Sequence, residues 1–118
     1  MTQDRLTLLL AFYEQDPGDP FTRFALAREY LKQGNAEQAL LFYEKLVAEQ
    51  PDYTGTYYHL GKLYEVLGRK EEALDIYQQG IEAARRQRNQ KDVSELQDAL
   101  LQAQSIGFGD DGPKEGWG

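Results

Sequence analysis

Apolar positions along this chain recur at helical spacing. Leu6, Leu9, Leu10 and Tyr13 form one stripe within residues 3–15. Leu26 and Tyr30 are four apart, as are Ala39 and Tyr43, so each pair shares a helix face. Near the C-terminus, Val93, Leu96, Leu100 and Ala103 make another stripe, opposed by Ser94, Gln97, Asp98 and Gln102. Polar breaks separate these segments. "QGNAEQ" (33–38) and "LGRKEE" (67–72) each put a glycine where a helix ends and needs a left-handed residue. Asn35 followed by Gln38 reads as an N-cap with its partner. Asp19 then Pro20 reads as a cap followed by proline at the first helical position. The pattern predicts six helices and an all-α fold.

The pattern also repeats. Shifted by 34 positions without a gap, Thr22 meets Thr56, Leu26 meets Leu60, Tyr30 meets Tyr64 and Gly34 meets Gly68. Glu37 meets Glu71, Ala39 meets Ala73, Leu40 meets Leu74, Tyr43 meets Tyr77, and Pro17 meets Pro51. Each unit is a helix, a tight turn and a helix. Gly61 sits inside one of these helices, at a cost of about 1 kcal/mol relative to alanine. Close packing of two antiparallel helices accounts for it, with Gly61 expected to face Ala73, and Ala27 to face Ala39.

The period and the residues that keep it resemble the tetratricopeptide repeat. The second unit matches that family at Tyr57, Leu60, Gly61, Tyr64, Ala73, Tyr77 and Gly80. The first matches at Leu26, Ala27, Tyr30, Ala39, Tyr43 and Pro51. Arg23 and Leu46 depart from the pattern, as does Arg85 where the family has proline, and looser packing is expected there. The resemblance implies a right-handed superhelical solenoid of antiparallel helix pairs. Repeat 1 covers 19–52 and repeat 2 covers 53–86, with an orphan N-terminal helix at 3–15 and a capping helix at 91–104. Together these make a domain over 1–104. Two repeats need such caps, because an open array exposes apolar faces at both ends. Residues 105–118 are rich in glycine and charge and are expected to form a flexible tail, with Phe108 and Trp117 its candidate docking residues.

Composition narrows the function. A net charge of −7 disfavours nucleic acid and anionic membrane as partners. With no cysteine, disulfides, thiol chemistry and thiolate metal sites are excluded. The run "LTLLLAF" (6–12) lacks a basic lead and falls far short of the ~20 residues that span a bilayer. His59 is the single histidine, with no nucleophile or second ligand at catalytic or metal spacing. Glu71, Glu72 and Asp75 suit the first turn of a helix, and Arg85, Arg86, Arg88 and Lys91 suit a helix end. The expectation is a cytoplasmic protein without catalysis, cofactor or metal.

The resemblance also implies a binding surface, because the family's first helices line a groove for an extended peptide. By register, repeat 1 offers Phe21, Phe24, Arg28, Leu31 and Lys32, and repeat 2 offers Tyr58, His59, Lys62 and Glu65, with Val66 beyond. Family members that clamp a terminal carboxylate use Lys and Asn. The matching positions here hold Phe24, Arg28 and His59, so that clamp is not expected. The expected partner is a protein or peptide segment, with an acidic group suited to Arg28, Lys32 and Lys62. The alternative is a structural homo-oligomer, a homodimer for instance, paired through the capping helices and an outer surface carrying Leu41 and Phe42.

Overall fold

The computed structural model describes residues 4–109, without the side chains of 106–109. Trp117 therefore lies outside the described residues, as does the Phe108 side chain. Six helices follow in order: α1 (Arg5–Gln15), α2 (Pro20–Lys32), α3 (Ala36–Glu49), α4 (Gly55–Val66), α5 (Lys70–Arg86) and α6 (Gln90–Gly109). No strand occurs among the described residues. The chain divides into two compact units, Met1–Thr56 and Tyr57–Gly118, and the division falls inside the first turn of α4.

In the first unit α2 packs on α1 and α3. Side chains cap each helix start: the Asp4 carboxylate accepts from the Leu6 amide at 3.3 Å, and that of Asp19 from the Thr22 amide at 3.2 Å. Asn35 accepts from the Gln38 amide at 3.2 Å, as its spacing predicts. Leu26, Ala27, Ala39, Tyr43 and Leu46 are fully buried. Leu9 joins this core beside Ala25 and Leu26, with Leu6, Tyr13, Tyr30 and Phe42 around it. Leu10, expected on the buried stripe, is exposed. Phe42 differs more sharply from expectation. Instead of facing outward, it takes the edge of Tyr13 at 5.4 Å and stacks on Tyr30 at 5.9 Å.

Arg23 also differs. It is buried, and its packing is not loose. Its Nε donates to the Pro17 carbonyl at 2.6 Å. Its Nη1 donates to Glu49 Oε1 at 2.7 Å and to Gln50 Oε1 at 3.2 Å. Gln50 in turn donates to the Gly18 carbonyl at 2.7 Å. One guanidinium, itself buried, thus ties the α1–α2 connection to the end of α3 through charge-assisted hydrogen bonds.

In the second unit α5 packs against α6. A Cβ placed on Gly61 would lie within the ring of Tyr77, which is fully buried. The ring, rather than the expected Ala73, is the surface that needs a glycine. Gly80 does the same for Tyr57 and Leu96, whose nearest atoms would be 2.5 and 3.0 Å from an added Cβ. The buried face of α6 is Val93, Leu96, Ala99 and Ala103, one position round from the expected stripe, which had Leu100 in place of Ala99.

Three turns share one hydrogen-bond pattern. Gly34 N–H donates to the Leu31 carbonyl at 3.0 Å and Asn35 N–H to that of Tyr30 at 2.8 Å. Gly68 N–H donates to Glu65 at 3.0 Å and Arg69 N–H to Tyr64 at 2.8 Å. Arg88 N–H donates to Arg85 at 3.0 Å and Asn89 N–H to Ala84 at 2.9 Å. All three central residues have positive φ: 84° at Gly34, 77° at Gly68 and 56° at Arg88. Asn89 then caps α6 through the Asp92 amide at 3.0 Å, much as Asn35 caps α3. The basic run therefore contains a third helix-reversing turn. It starts α6 at Gln90, and the helix continues through 105–109, where the tail was expected to begin. Residues 110–118 lie outside the described residues.

No heavy atom would lie within 4 Å of a Cβ at Gly34 or Gly68, so only backbone conformation favours glycine there. Gly34→Ala and Gly68→Ala should each lower stability by about 1 kcal/mol, whereas Arg88→Gly should raise it by up to about 1 kcal/mol. Urea unfolding midpoints measure all three. Equal midpoints for wild type and Gly34→Ala would contradict this account of the turns.

Candidate functional site

The first helix of each pair carries the exposed face that the spacing singles out. On α2, Phe21 is 66% exposed, a large apolar area to leave in water on a well-packed helix. Arg28 and Lys32 are exposed on the same helix, and Leu31 lies among its exposed apolar residues. Phe24 is half-buried, held edge-on by Tyr43 at 6.0 Å and by Tyr53 at 5.8 Å. Burial pushes the Tyr43 phenol up to about 12, while the positive charge of Arg28 pulls it the other way. The Arg28 charge is therefore felt at this aromatic group, although burial outweighs it. Burial also raises the Tyr53 phenol, reinforced by the charge of Asp19.

On α4, Tyr58 is exposed and carries the Lys62 ammonium over its ring, 5.5 Å from the centroid. The His59 ring meets Tyr58 edge-on at 5.6 Å. Those three residues form one cluster. Glu65 is diverted inward: its carboxylate accepts from the Tyr77 hydroxyl at 2.5 Å. Its role is thus to anchor the ring beneath Gly61. Val66, beyond it, is largely exposed.

The expectation for α6 is a capping helix, with pairing to a second copy as the alternative. The structure makes it a wall. A cleft of about 330 Å³ lies between α4 and α6, lined by Tyr58, Lys62, Glu95, Asp98, Ala99 and Gln102. The signal was present in the sequence: Glu95, Asp98 and Gln102 follow helical spacing along one polar side. Among the described residues, no helix is long and apolar enough to cross a membrane.

A sequence model described as the tetratricopeptide repeat matches residues 30–102, more than half of the chain. The chain belongs to the tetratricopeptide repeat family. Solved tetratricopeptide repeat domain proteins from Salinibacter ruber agree. A solution NMR structure is 62% identical, with a TM-score of 0.75 over 77% of this chain and 92% of that one. A crystal structure is 61% identical, with a TM-score of 0.71 over 75% and 98%. The solution structure of BPP2914 from Bordetella parapertussis is 24% identical, with a TM-score of 0.75 over 91% and 94%, and shares the fold. None of the curated proteins matches the chain. The family model begins at the end of α2 and runs into α6, so it takes in all of α3, α4 and α5 and much of α6. Tetratricopeptide repeat proteins generally act by binding other proteins, and repeat identity leaves the choice of partner to the exposed side chains.

The buried tyrosines give this tetratricopeptide repeat a distinct alkaline response. Burial and the Glu65 carboxylate together hold the Tyr77 phenol well above its usual value, and Tyr43 is raised from 10.0 to about 12. The folded state thus binds these protons more tightly than the unfolded chain. The Tyr43 contribution is complete below pH 10 and is lost as pH rises toward 12, and that of Tyr77 falls over a range that extends further. Urea unfolding across that range should show a fall on the order of 2 kcal/mol from Tyr43. Tyr43→Phe should make this limb shallower, leaving the part due to Tyr77, and an identical limb in that variant would exclude the mechanism.

Proposed function

We propose that this protein is a non-catalytic protein–protein interaction module that binds peptide or protein segments through exposed residues of α2 and of α4. The observation that carries the reading is Phe21, two-thirds exposed on the helix that also presents Arg28 and Lys32 to solvent. Lone exposed apolar residues are ordinary. An aromatic beside cations on an acidic chain is more specific, because it offers apolar contact next to an anion-binding group. We read Phe21, Phe24, Arg28, Leu31 and Lys32 as contacts for an apolar side chain with a neighbouring carboxylate. Tyr58, His59 and Lys62 supply the contacts on α4. The role requires no cofactor and fits a cytoplasmic adaptor or scaffold.

Peptides selected from a displayed random library on the full chain test this reading. Selected peptides should be rich in aromatic and acidic residues. Combining Arg28→Glu with Lys32→Glu should weaken them about tenfold or more, a loss of at least 1.4 kcal/mol. Equal binding by wild type and the double variant would exclude the α2 face.

A homo-oligomer is the second reading, favoured by Leu8, Phe12 and Leu41, which are 43%, 49% and 57% exposed. Phe42 is half-buried between Tyr13 and Tyr30 and still lines a surface pocket beside Leu41. Light scattering across a concentration series separates the two: a constant monomer mass supports the adaptor, and a rising mass supports the oligomer.

A further inference from the structure

We infer that the cleft between α4 and α6 accepts a basic side chain, lysine or arginine, from the bound segment. This rests on the reading of the α4 face as a peptide-binding surface, and it assigns that half of the surface a charge preference opposite to that of α2.

The argument begins with the cleft walls. α4 contributes Tyr58 and Lys62, while α6 contributes Glu95, Asp98, Ala99 and Gln102. One cation therefore faces two carboxylates. The charges are also differently engaged. The Lys62 ammonium rests over the Tyr58 ring. Glu95 accepts from Lys91 Nζ at 3.0 Å in an exposed pair one helical turn apart, a contact weakened by solvent. Asp98 is exposed and makes no ion pair among the described residues. It leaves a carboxylate at the cleft wall, four residues before the amide of Gln102.

Ala99 gives the cleft its depth. It is 3% exposed, so the wall there is a methyl group, and a larger side chain at this position would project into the space. The cleft volume of about 330 Å³ lies at the lower end for small-ligand pockets and suits one extended side chain rather than a helix. An aliphatic stem can lie along Ala99 and the Tyr58 ring edge while its charged head reaches Asp98. An acidic side chain would meet the carboxylates of Asp98 and Glu95. An apolar one would take water from Asp98 and return no hydrogen bond. A basic side chain gains the carboxylates of Asp98 and Glu95 against the single Lys62 ammonium, which rests over the Tyr58 ring, and the overall charge of −7 favours its approach.

The test uses the full chain and peptides selected on it from a displayed random library. Each Lys or Arg in a selected peptide is replaced by Gln, and both versions are titrated against wild type, Asp98→Lys and Asp98→Asn. Asp98 is exposed on a helix, so circular dichroism should show all three folded alike. One basic residue should prove essential. Its loss and Asp98→Lys should each weaken binding about tenfold, and combining them should add little, as expected for partners in one contact. Peptides that bind Asp98→Lys as tightly as wild type, yet are lost with Arg28→Glu, would overturn this inference and leave the α2 surface standing. A failure to select any peptide would overturn both. A rise in affinity on deleting residues 110–118, which contain Lys114, would also overturn it, by showing that the chain's own C-terminal segment fills the cleft.

Discussion

The approach of α4 to α5 at Gly61 is the contact on which the α4 surface depends. The Tyr77 ring occupies the space that a Cβ at residue 61 would take. A mid-helix glycine costs about 1 kcal/mol, whereas burying a large aromatic side chain contributes about 1.5–3 kcal/mol. The exchange favours the glycine as long as the ring fills the gap. The Tyr77 hydroxyl then finds Glu65 one helix away. That hydrogen bond satisfies a buried polar group and joins the two helices at a second point. Tyr58 and Lys62 consequently stand outward, as a ring with a cation above it. The first unit reaches a similar result with Ala27, Ala39 and Tyr43, all fully buried.

Much of this was legible in the sequence, for a physical reason. Helix pairs that stack must place their large and small residues at matching positions, so the 34-residue spacing exposes Leu26 with Leu60 and Tyr43 with Tyr77. Caps were legible because their chemistry is local: Asp19 and Asn35 bond to amides three residues on. The turn at Arg88 was less visible. Arginine in a left-handed conformation gives no glycine signal, although "QRN" repeats the "QGN" of the first turn at the flanking positions. The reversal there depends on α5 and α6 packing together, which outweighs a local preference of about 1 kcal/mol.

The remaining differences share one origin. Arg23, Phe42 and Glu65 each have partners far along the chain. Arg23 bonds across 26 residues to Glu49, Phe42 meets Tyr13 from another helix, and Glu65 meets Tyr77. Helical periodicity reports which face a residue occupies, but not what a second helix brings to that face. A charged residue at a core position thus read as looser packing, when it is a buried clamp on two backbone segments. The cleft went unseen for the same reason, since α6 becomes a wall only once it lies beside α4.

In the proposed function, partner choice rests with exposed side chains on first helices whose inward faces pack against buried tyrosines. Backbone amide chemical-shift mapping of the full chain, titrated with a library-selected peptide, tests this most directly. The account predicts shifts concentrated at Phe21, Phe24, Arg28 and Lys32 on α2, at Tyr58, His59 and Lys62 on α4, and at Asp98 and Gln102 on α6. Shifts confined to Leu8, Phe12 and Leu41, with α2 and α4 unmoved, would contradict it.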